Sequence, residues 1–248
     1  PIPVRISHCH FYGNVGFTAW IYGGTNSSGK FQVLVENSLF HLNYSTSASF
    51  HLNNFGSDDE ALFVNCLFEG NNSPIILRSP VGSQPTHIVN SIIISDTPNW
   101  IVYGDTYLEH SIVSKPECGQ IGPNTTCGPN NFFATDPLFV NANPTSDADF
   151  RLQPCSPAVN AGDNAILDSL GITTDFDGNP RIRHGQADIG LYETNLFSVA
   201  DISEPSCFGS NNGAVEFEAN LCPPFTIKWS GGTLSGTTLT GLPAGSHI

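Results

Sequence analysis

The sequence has no methionine and few charged side chains. Eight Lys and Arg stand against 22 Asp and Glu, which gives a formal net charge of −14. So few cations cannot form a basic patch, and this excludes nucleic acid and anionic membrane surfaces as partners. No apolar run is long enough to span a bilayer, and no signal peptide is present. Because the chain starts without Met and stops at Leu242–Ile248 as a strand begins, we expect it to be part of a larger multidomain protein.

Several catalytic and cofactor motifs are also missing. The sequence has no Cys-x-x-Cys pair, which argues against zinc and dithiol redox sites. It has no Gly-x-Ser-x-Gly nucleophile elbow and no phosphate-binding loop. Charged residues make up only 12% of the chain, and Gly, Pro, Asn, Ser and Thr are abundant instead. This composition predicts an all-β protein with short strands and many turns.

The strongest pattern is an internal repeat. Five segments align: Val4–Asn14, Val33–Asn43, Ala61–Asn71, Thr86–Asp96 and Thr106–Lys115. Four columns recur in them: an apolar column of Ile6, Val35, Phe63, Ile88 and Leu108; a bend column of His8, Asn37, Asn65, Asn90 and His110; a small column of Cys9, Ser38, Cys66, Ser91 and Ser111; and a second apolar column of Phe11, Phe40, Phe68, Ile93 and Val113.

Such columns are typical of coils stacked at the strand spacing, about 4.8 Å, where like residues meet. Asn and His tolerate the left-handed conformation that a bend requires. The number of residues between repeats varies, which favours a right-handed parallel β-helix over solenoids with tighter periods. A second apolar strand follows four of the repeats, at Phe17–Tyr22, Ser49–Leu52, Pro74–Leu77 and Asn99–Tyr103.

One apolar stripe does not fit the inward columns. Its members, Leu39, Leu67, Ile92 and Ile112, alternate with the inward residues and should face outward. Three explanations remain: an apolar stripe covered by loops, a partner surface, or a wrong inward assignment. Covering by loops is the favoured one.

The repeat pattern ends before Asp136, and a different set of motifs runs from Asp136 to Glu193. The sequence reads DPLFV from Asp136, DFRLQPCSPAVNAGD from Asp149, DFDGNPR from Asp175 and DIGLYE from Asp188. This ordered set resembles the choice-of-anchor class of bacterial surface proteins. The resemblance implies a right-handed parallel β-helix of the pectate-lyase-like superfold, a secreted or cell-surface location and no assigned activity. Coils are therefore expected over residues 1–135 and the closing segment of the β-helix over residues 136–195.

Residues 198–248 form a separate unit in this reading. The stretches SCFGSNNGAV from Ser206 and LCPPFTIKW from Leu221, with the Gly pair at 231–232, are similar to the Ig-like SprB-type repeats on adhesins of gliding Bacteroidota. The first glycines of the family's second stretch are replaced here. The resemblance implies a small β-sandwich-like (Ig-like) unit, incomplete because its final strand is missing.

The seven cysteines are interpreted by position. Cys9 and Cys66 share a column two coils apart, which is too far for a disulfide, so we expect buried thiols. Disulfide candidates are Cys118 with Cys127, which enclose a short loop, and Cys207 with Cys222. Cys155 is then left over.

Three sets of residues are candidates for chemistry or binding. Asp58, Asp59 and Glu60 share one loop with Arg78 a coil away, which would suit a polysaccharide lyase or glycoside hydrolase; a solvated loop tip is favoured, because no Asp column repeats. Asp175, Asp177 and Asn179 invite a Ca²⁺ site, but an Asp-Gly turn is favoured because the EF-hand Gly and Glu are missing. Trp20, Tyr22, Trp100 and Tyr103 could stack on sugars, with packing at the coil edge as the alternative.

Histidines are scattered, and His10, His41 and His51 could lie near one another; ordinary surface or bend roles are expected. The sequence therefore predicts a secreted or cell-surface structural or adhesive segment, non-catalytic and without a cofactor, with a glycan or a cell-surface protein as partner. The alternative is a β-helix polysaccharide lyase or glycoside hydrolase with its site in coils outside this chain or on the 53–60 loop. A third reading is a pure spacer.

Overall fold

The repeats form three parallel sheets in the computed structural model of this chain. The structure describes residues 4–16, 18–22, 32–45, 48–53, 59–72, 75–78, 85–95, 100–141, 150–223 and 232–243. The chain divides into two units, residues 1–193 and 194–248. Strands dominate both units and helix is scarce, so the expected all-β class is confirmed.

Each sheet of the first unit takes one strand from successive repeats. The first sheet contains β1 (Val4–Ser7), β4 (Gln32–Glu36), β7 (Glu60–Val64), β10 (Thr86–Val89), β13 (Thr106–Glu109) and β15 (Thr125–Cys127). The second contains β2 (His10–Tyr12), β5 (Leu39–His41), β8 (Leu67–Glu69), β11 (Ile92–Ile93), β14 (Ile112–Val113) and β16 (Phe132–Phe133). The third contains β3 (Ala19–Tyr22), β6 (Ala48–Asn53), β9 (Ile75–Arg78) and β12 (Val102–Tyr103).

The chain visits the sheets in a fixed order, and we call one pass through them a rung. Every pairing within the three sheets is parallel, with the register that the columns predict: Ile6 pairs with Val35, and Val35 with Phe63. The rings of Phe11, Phe40 and Phe68 stack with centroids 4.7 and 4.6 Å apart. The two apolar columns and the inward residues of the third sheet form one buried core.

Polar ladders run beside this core. The small column is bonded from rung to rung: the Cys66 amide donates to Ser91 Oγ and the Ser91 amide to Ser111 Oγ, both at 3.1 Å. A second ladder lies at the next bend, where the Asn43 side-chain amide donates to Asn71 Oδ1 at 2.9 Å. Such pairing satisfies buried polar groups that would otherwise cost free energy.

A sixth rung, β15 and β16, follows the five that the repeats predict. Asn130 occupies its bend position with φ 56°, and Asn131 takes the place of the Cys/Ser column because its Oδ1 accepts from the Ser111 amide at 3.1 Å.

The outward stripe of Leu39, Leu67, Ile92 and Ile112 is buried by residues 150–193, which we call the strap. These residues lie in one apolar cluster with Phe150, Ala158, Ile189 and Leu191 of the strap. Helix α1 (Asn164–Leu170) belongs to the strap, is N-capped by Asp163, and packs through Leu167 against Leu34 and Val64 of the first sheet. The favoured explanation of a covered stripe is confirmed, and the cover is the strap.

The bend column anchors the strap. All five bend residues have φ between 42° and 53°. Their side chains bond to strap backbone groups: His8 to the Asp175 carbonyl (2.8 Å), Asn37 to that of Thr174 (2.8 Å), Asn65 to those of Asp188 (3.2 Å) and Gly190 (3.0 Å), Asn90 to that of Asp163 (3.0 Å), and His110 to that of Ala161 (3.3 Å). The segment expected to close the coil therefore runs along the outside of the first two sheets, back to the first rung.

A buried contact between Arg181 and Glu193 holds the strap's own turns together. The Arg181 guanidinium donates to the carbonyls of Leu191, Asp188 and Gly190 at 2.7–2.9 Å and lies 3.2 Å from Glu193 Oε1. Burial raises the pKa of Glu193 to about 8, against the opposing charge of Arg181. Burial also lowers the pKa of Arg181.

The second unit contains one antiparallel sheet in its described part. Its order is β17 (Phe197–Ser203), β18 (Gly213–Ala219), β20 (Thr238–Leu242), β19 (Thr233–Ser235), with a core around Phe217, Leu239 and Leu242. The second sheet that a sandwich requires is not among the residues described. The unit begins at Thr194, near the predicted boundary at residue 198.

Candidate functional site

Four side chains form a column on the outer face of the third sheet. Trp20 pairs with His51, His51 with Arg78, and Arg78 with Tyr103, so the column takes one residue from each of four rungs. The strands alternate, and the neighbours Phe50, Leu77 and Val102 point into the core. We call these four residues the outer column.

Neighbouring members of the outer column are in contact. The Trp20 and His51 rings meet edge to face with centroids 5.4 Å apart. The Arg78 guanidinium carbon lies 4.9 Å from the centre of the Tyr103 ring, a cation–π contact. Trp20 is 46% exposed, while His51, Arg78 and Tyr103 are half-buried. The column thus offers exposed ring surface at one end and a cation near the other.

The charge of the outer column is set by Arg78. Burial lowers the pKa of His51, and the positive charge of Arg78 lowers it further, so the imidazole is neutral at pH 7. No carboxylate of the described residues forms an ion pair with Arg78. In contrast, Arg5, Arg151 and Arg181 are all paired with acids. Because no described carboxylate pairs with it, the Arg78 guanidinium can bind an external oxyanion.

The structure brings together two of the four predicted stacking residues. Trp20 and Tyr103 both belong to the outer column, at its two ends. Tyr22 lies at the end of β3 and its side chain is outside the described residues. Trp100 is 45% exposed but precedes β12 and lies outside the column. His51 and Arg78 were not predicted to lie with the aromatic residues, because only the register of the paired strands places them there.

The acidic residues predicted to form a catalytic site with Arg78 are not found together with it. Asp58 lies outside the described residues, and Asp59 is buried. Glu60 begins β7 in the first sheet and accepts a hydrogen bond from the Gln32 amide at 3.0 Å. Arg78 ends β9 in the third sheet. Arg78 therefore belongs with Trp20 and Tyr103 and is not paired with these acids in the described structure.

The carboxylates of the candidate Ca²⁺ loop are bonded within the protein. Asp175 is buried, and its Oδ1 accepts from the amides of Asp177 (3.0 Å) and Asn179 (2.8 Å), the bonds of an Asx turn. Its Oδ2 accepts from the Glu193 amide at 3.1 Å. Asp177 pairs with Arg151. Across the described residues, no group of three or more His, Cys, Asp or Glu could hold a metal ion.

The cysteine predictions have mixed outcomes. Cys118 and Cys127 form the expected disulfide, with Cα atoms 6.1 Å apart. The predicted pairing of Cys207 with Cys222 is wrong, because Cys207 is a free, exposed thiol. Cys222 and Cys155 are both disulfide-bonded, so Cys155 is not left over. Cys9 and Cys66 are free as expected, and burial raises the pKa of Cys66 to about 12.

The three histidines do not form one group. His10 and His41 stack on the second sheet with centroids 6.4 Å apart, whereas His51 lies on the third sheet. His41 Nε2 is 3.0 Å from Glu69 Oε2, and Phe150 of the strap meets the His41 ring edge to face at 4.9 Å. This geometry fits packing beneath the strap.

Comparisons with known proteins give no relative. No family model matches the sequence, and neither a curated protein nor a solved structure matches it. Within the described residues, no helix is long and apolar enough to cross a membrane.

Proposed function

We propose that the first unit is a right-handed parallel β-helix of a secreted or cell-surface protein, and that it binds glycans without acting on them. The support for the fold is the order of the strands, which pass through the three sheets in turn and pair in parallel with the rung before. The number of residues from one repeat to the next varies, as in a solenoid whose loops differ in length. The small second unit would then be the incomplete Ig-like repeat of the same surface protein.

A disulfide bond supports an extracellular location. The Cys118–Cys127 disulfide persists in oxidising compartments and is rare in reducing ones. Few cations and a polar surface also suit an exposed stalk.

The observation that carries glycan binding is the outer column. Sugar rings present apolar C–H faces that pack on aromatic rings, and their hydroxyl groups bond to imidazole and guanidinium nitrogen atoms. Trp20 supplies an exposed ring, and His51, Arg78 and Tyr103 continue in line with it at the strand spacing of about 4.8 Å. A linear ligand lying across the strands would contact each rung in turn.

The described carboxylates support the proposed non-catalytic role. Glycosidases need two carboxyl groups about 5–10 Å apart across the scissile bond. The outer column contains none, and the described acids near the predicted loop, Asp59 and Glu60, are bound elsewhere in the protein. We therefore expect binding without turnover.

The test is a glycan array combined with a polysaccharide depolymerisation assay on the whole 248-residue chain. We expect binding of at least one glycan, loss of that binding in Trp20→Ala, and no new reducing ends. The matched control is Trp100→Ala, an equally exposed Trp outside the column. Depolymerisation lost on changing Asp58, Asp59 and Glu60 to Ala would favour a lyase or hydrolase, and failure of every glycan to bind would leave a spacer.

A further inference from the structure

Arg78 differs in its contacts from Arg5, Arg151 and Arg181. Arg5 donates to both oxygens of Glu36 at 2.8 and 2.9 Å, Arg151 pairs with Asp177, and Arg181 pairs with Glu193. Arg78 instead lies over the Tyr103 ring, and no carboxylate of the described chain pairs with it. Arg183 likewise has no carboxylate partner among the described residues, but Arg78 is the arginine that lies in the outer column.

Arg78 contacts Tyr103 through its guanidinium, whose carbon atom lies 4.9 Å from the centre of the ring. A guanidinium carries five N–H donors, and these point outward in its plane, away from a ring stacked on its face. Two of them match the two oxygens of a carboxylate or a sulfate and bind it in a bidentate fashion. The cation–π contact with Tyr103 does not occupy all five donors, so N–H groups of Arg78 are available to a ligand.

The distance from Arg78 to Trp20 sets the size of that ligand. Trp20, His51 and Arg78 occupy three successive rungs, so Trp20 and Arg78 are about 10 Å apart. This is the scale of a disaccharide. One sugar ring can stack on Trp20 while an oxyanion on the next sugar reaches Arg78, and the neutral His51 lies between the two.

We propose that the outer column selects anionic saccharides, with the carboxylate or sulfate of one sugar bound by Arg78 and the preceding ring stacked on Trp20. This proposal rests on the glycan binding proposed above and adds the substrate class and the residue that determines it. An acidic peptide would satisfy Arg78 as well, but it would leave the exposed Trp20 without a role.

The experiment is an array of neutral glycans with uronate- and sulfate-bearing counterparts of the same backbone. The best anionic glycan and its carboxyl-reduced or desulfated form are then titrated calorimetrically into wild-type chain, Arg78→Gln, Arg78→Lys and Trp20→Ala. We expect the wild-type chain to bind the anionic form at least tenfold more tightly. Arg78→Gln should bind both forms equally, Arg78→Lys should keep part of the preference, and Trp20→Ala should weaken both. Melting temperatures identify any variant that fails to fold.

Three outcomes separate the two proposals. Equal binding of neutral and anionic forms by the wild-type chain overturns the selection and leaves glycan binding intact. If poly-L-glutamate binds equally tightly, the outer column recognises negative charge and not a saccharide, and the proposal is overturned. Absence of binding to any glycan overturns both. The carboxyl-reduced and desulfated arms show which oxyanion Arg78 recognises.

Discussion

Asn65 tests how the strap is held to the sheets. Its side chain is fully buried, its φ is 52°, and its amide donates to the carbonyls of Asp188 and Gly190. Asn65→Ala removes both hydrogen bonds. It also places alanine in the left-handed region of backbone conformations, which alanine tolerates less well than asparagine. Each bond contributes about 1 kcal/mol, and the backbone about 1 more, so we expect a loss of about 3 kcal/mol.

Asn65→Gly separates the two contributions. Glycine adopts the left-handed region without a steric penalty, so this variant should lose about 2 kcal/mol from the missing bonds. The matched control is Asn130, the exposed bend residue of the sixth rung, with φ 56°. Asn130→Gly should stay within about 0.5 kcal/mol of the wild-type chain, because its side chain is exposed and holds no strap residue.

The assay is urea unfolding, with hydrogen exchange at the Gly190 amide as the local readout. That amide donates to the Asn90 carbonyl at 2.8 Å and should exchange faster when the strap is loosened. If Asn65→Gly matches the wild-type chain in both measurements, the bend column shapes the turns only and does not anchor the strap.

Three further predictions concern the core, the buried contact between Arg181 and Glu193, and the disulfide. Phe40→Ala should lower the free energy of unfolding by about 3–5 kcal/mol, while Val140→Ala, at a 60% exposed site, should change it by less than about 0.5 kcal/mol; similar losses would refute the stacked core. Burial raises the pKa of Glu193 from 4.5 to about 8, so the folded state keeps a proton that the unfolded state has lost. The free energy of unfolding should therefore fall as pH rises through this window, and Glu193→Gln should fall less steeply; parallel pH profiles would refute this. Replacing both Cys118 and Cys127 by Ser should cost about 2.5 kcal/mol in thermal or urea unfolding, and an unchanged stability would argue against the bridge.

The core and its register could be predicted because like residues stack in a parallel sheet. Phe11, Phe40 and Phe68 are recognisable as a column in the sequence, and the structure stacks them. The sixth rung could not be recognised, since Asn131 replaces the Cys/Ser residue and uses its side-chain oxygen for the same hydrogen bond. A sequence pattern does not show that a different side chain, Asn in place of Ser, can make the same hydrogen bond.

The place of the strap could be predicted only in part. The outward stripe that includes Leu39 and Leu67 indicated that something covers the second sheet, but nothing local identified the cover. Anchors such as Asn37 to Thr174 join residues 137 positions apart. Local propensity does not report such distant contacts, although the repeated choice of Asn or His at the bend is consistent with a side chain that has a partner.

The outer column was missed for a related reason. Trp20 and Tyr103 stand out in the sequence as aromatic residues, while Arg78 was considered only as a residue one coil away from the acidic loop. Pairing of β6 with β9 puts Arg78 beside His51, and pairing of β9 with β12 puts it beside Tyr103. Register is a property of the sheet, so a cation and rings that are far apart in sequence become neighbours only once the strands are paired.

The position of the strap also bears on where a ligand can bind. The strap packs on the outer faces of the first and second sheets through Leu167 and Ile189, and it uses the bend between these sheets as its anchor. Its described contacts do not include the outer column of the third sheet, where Trp20 remains 46% exposed. The strap covers the apolar stripe of the second sheet, whereas Trp20 and Arg78 lie on the third sheet, outside the described contacts of the strap. Loss of the strap should therefore destabilise the first unit, and loss of the outer column should leave stability nearly unchanged and remove binding.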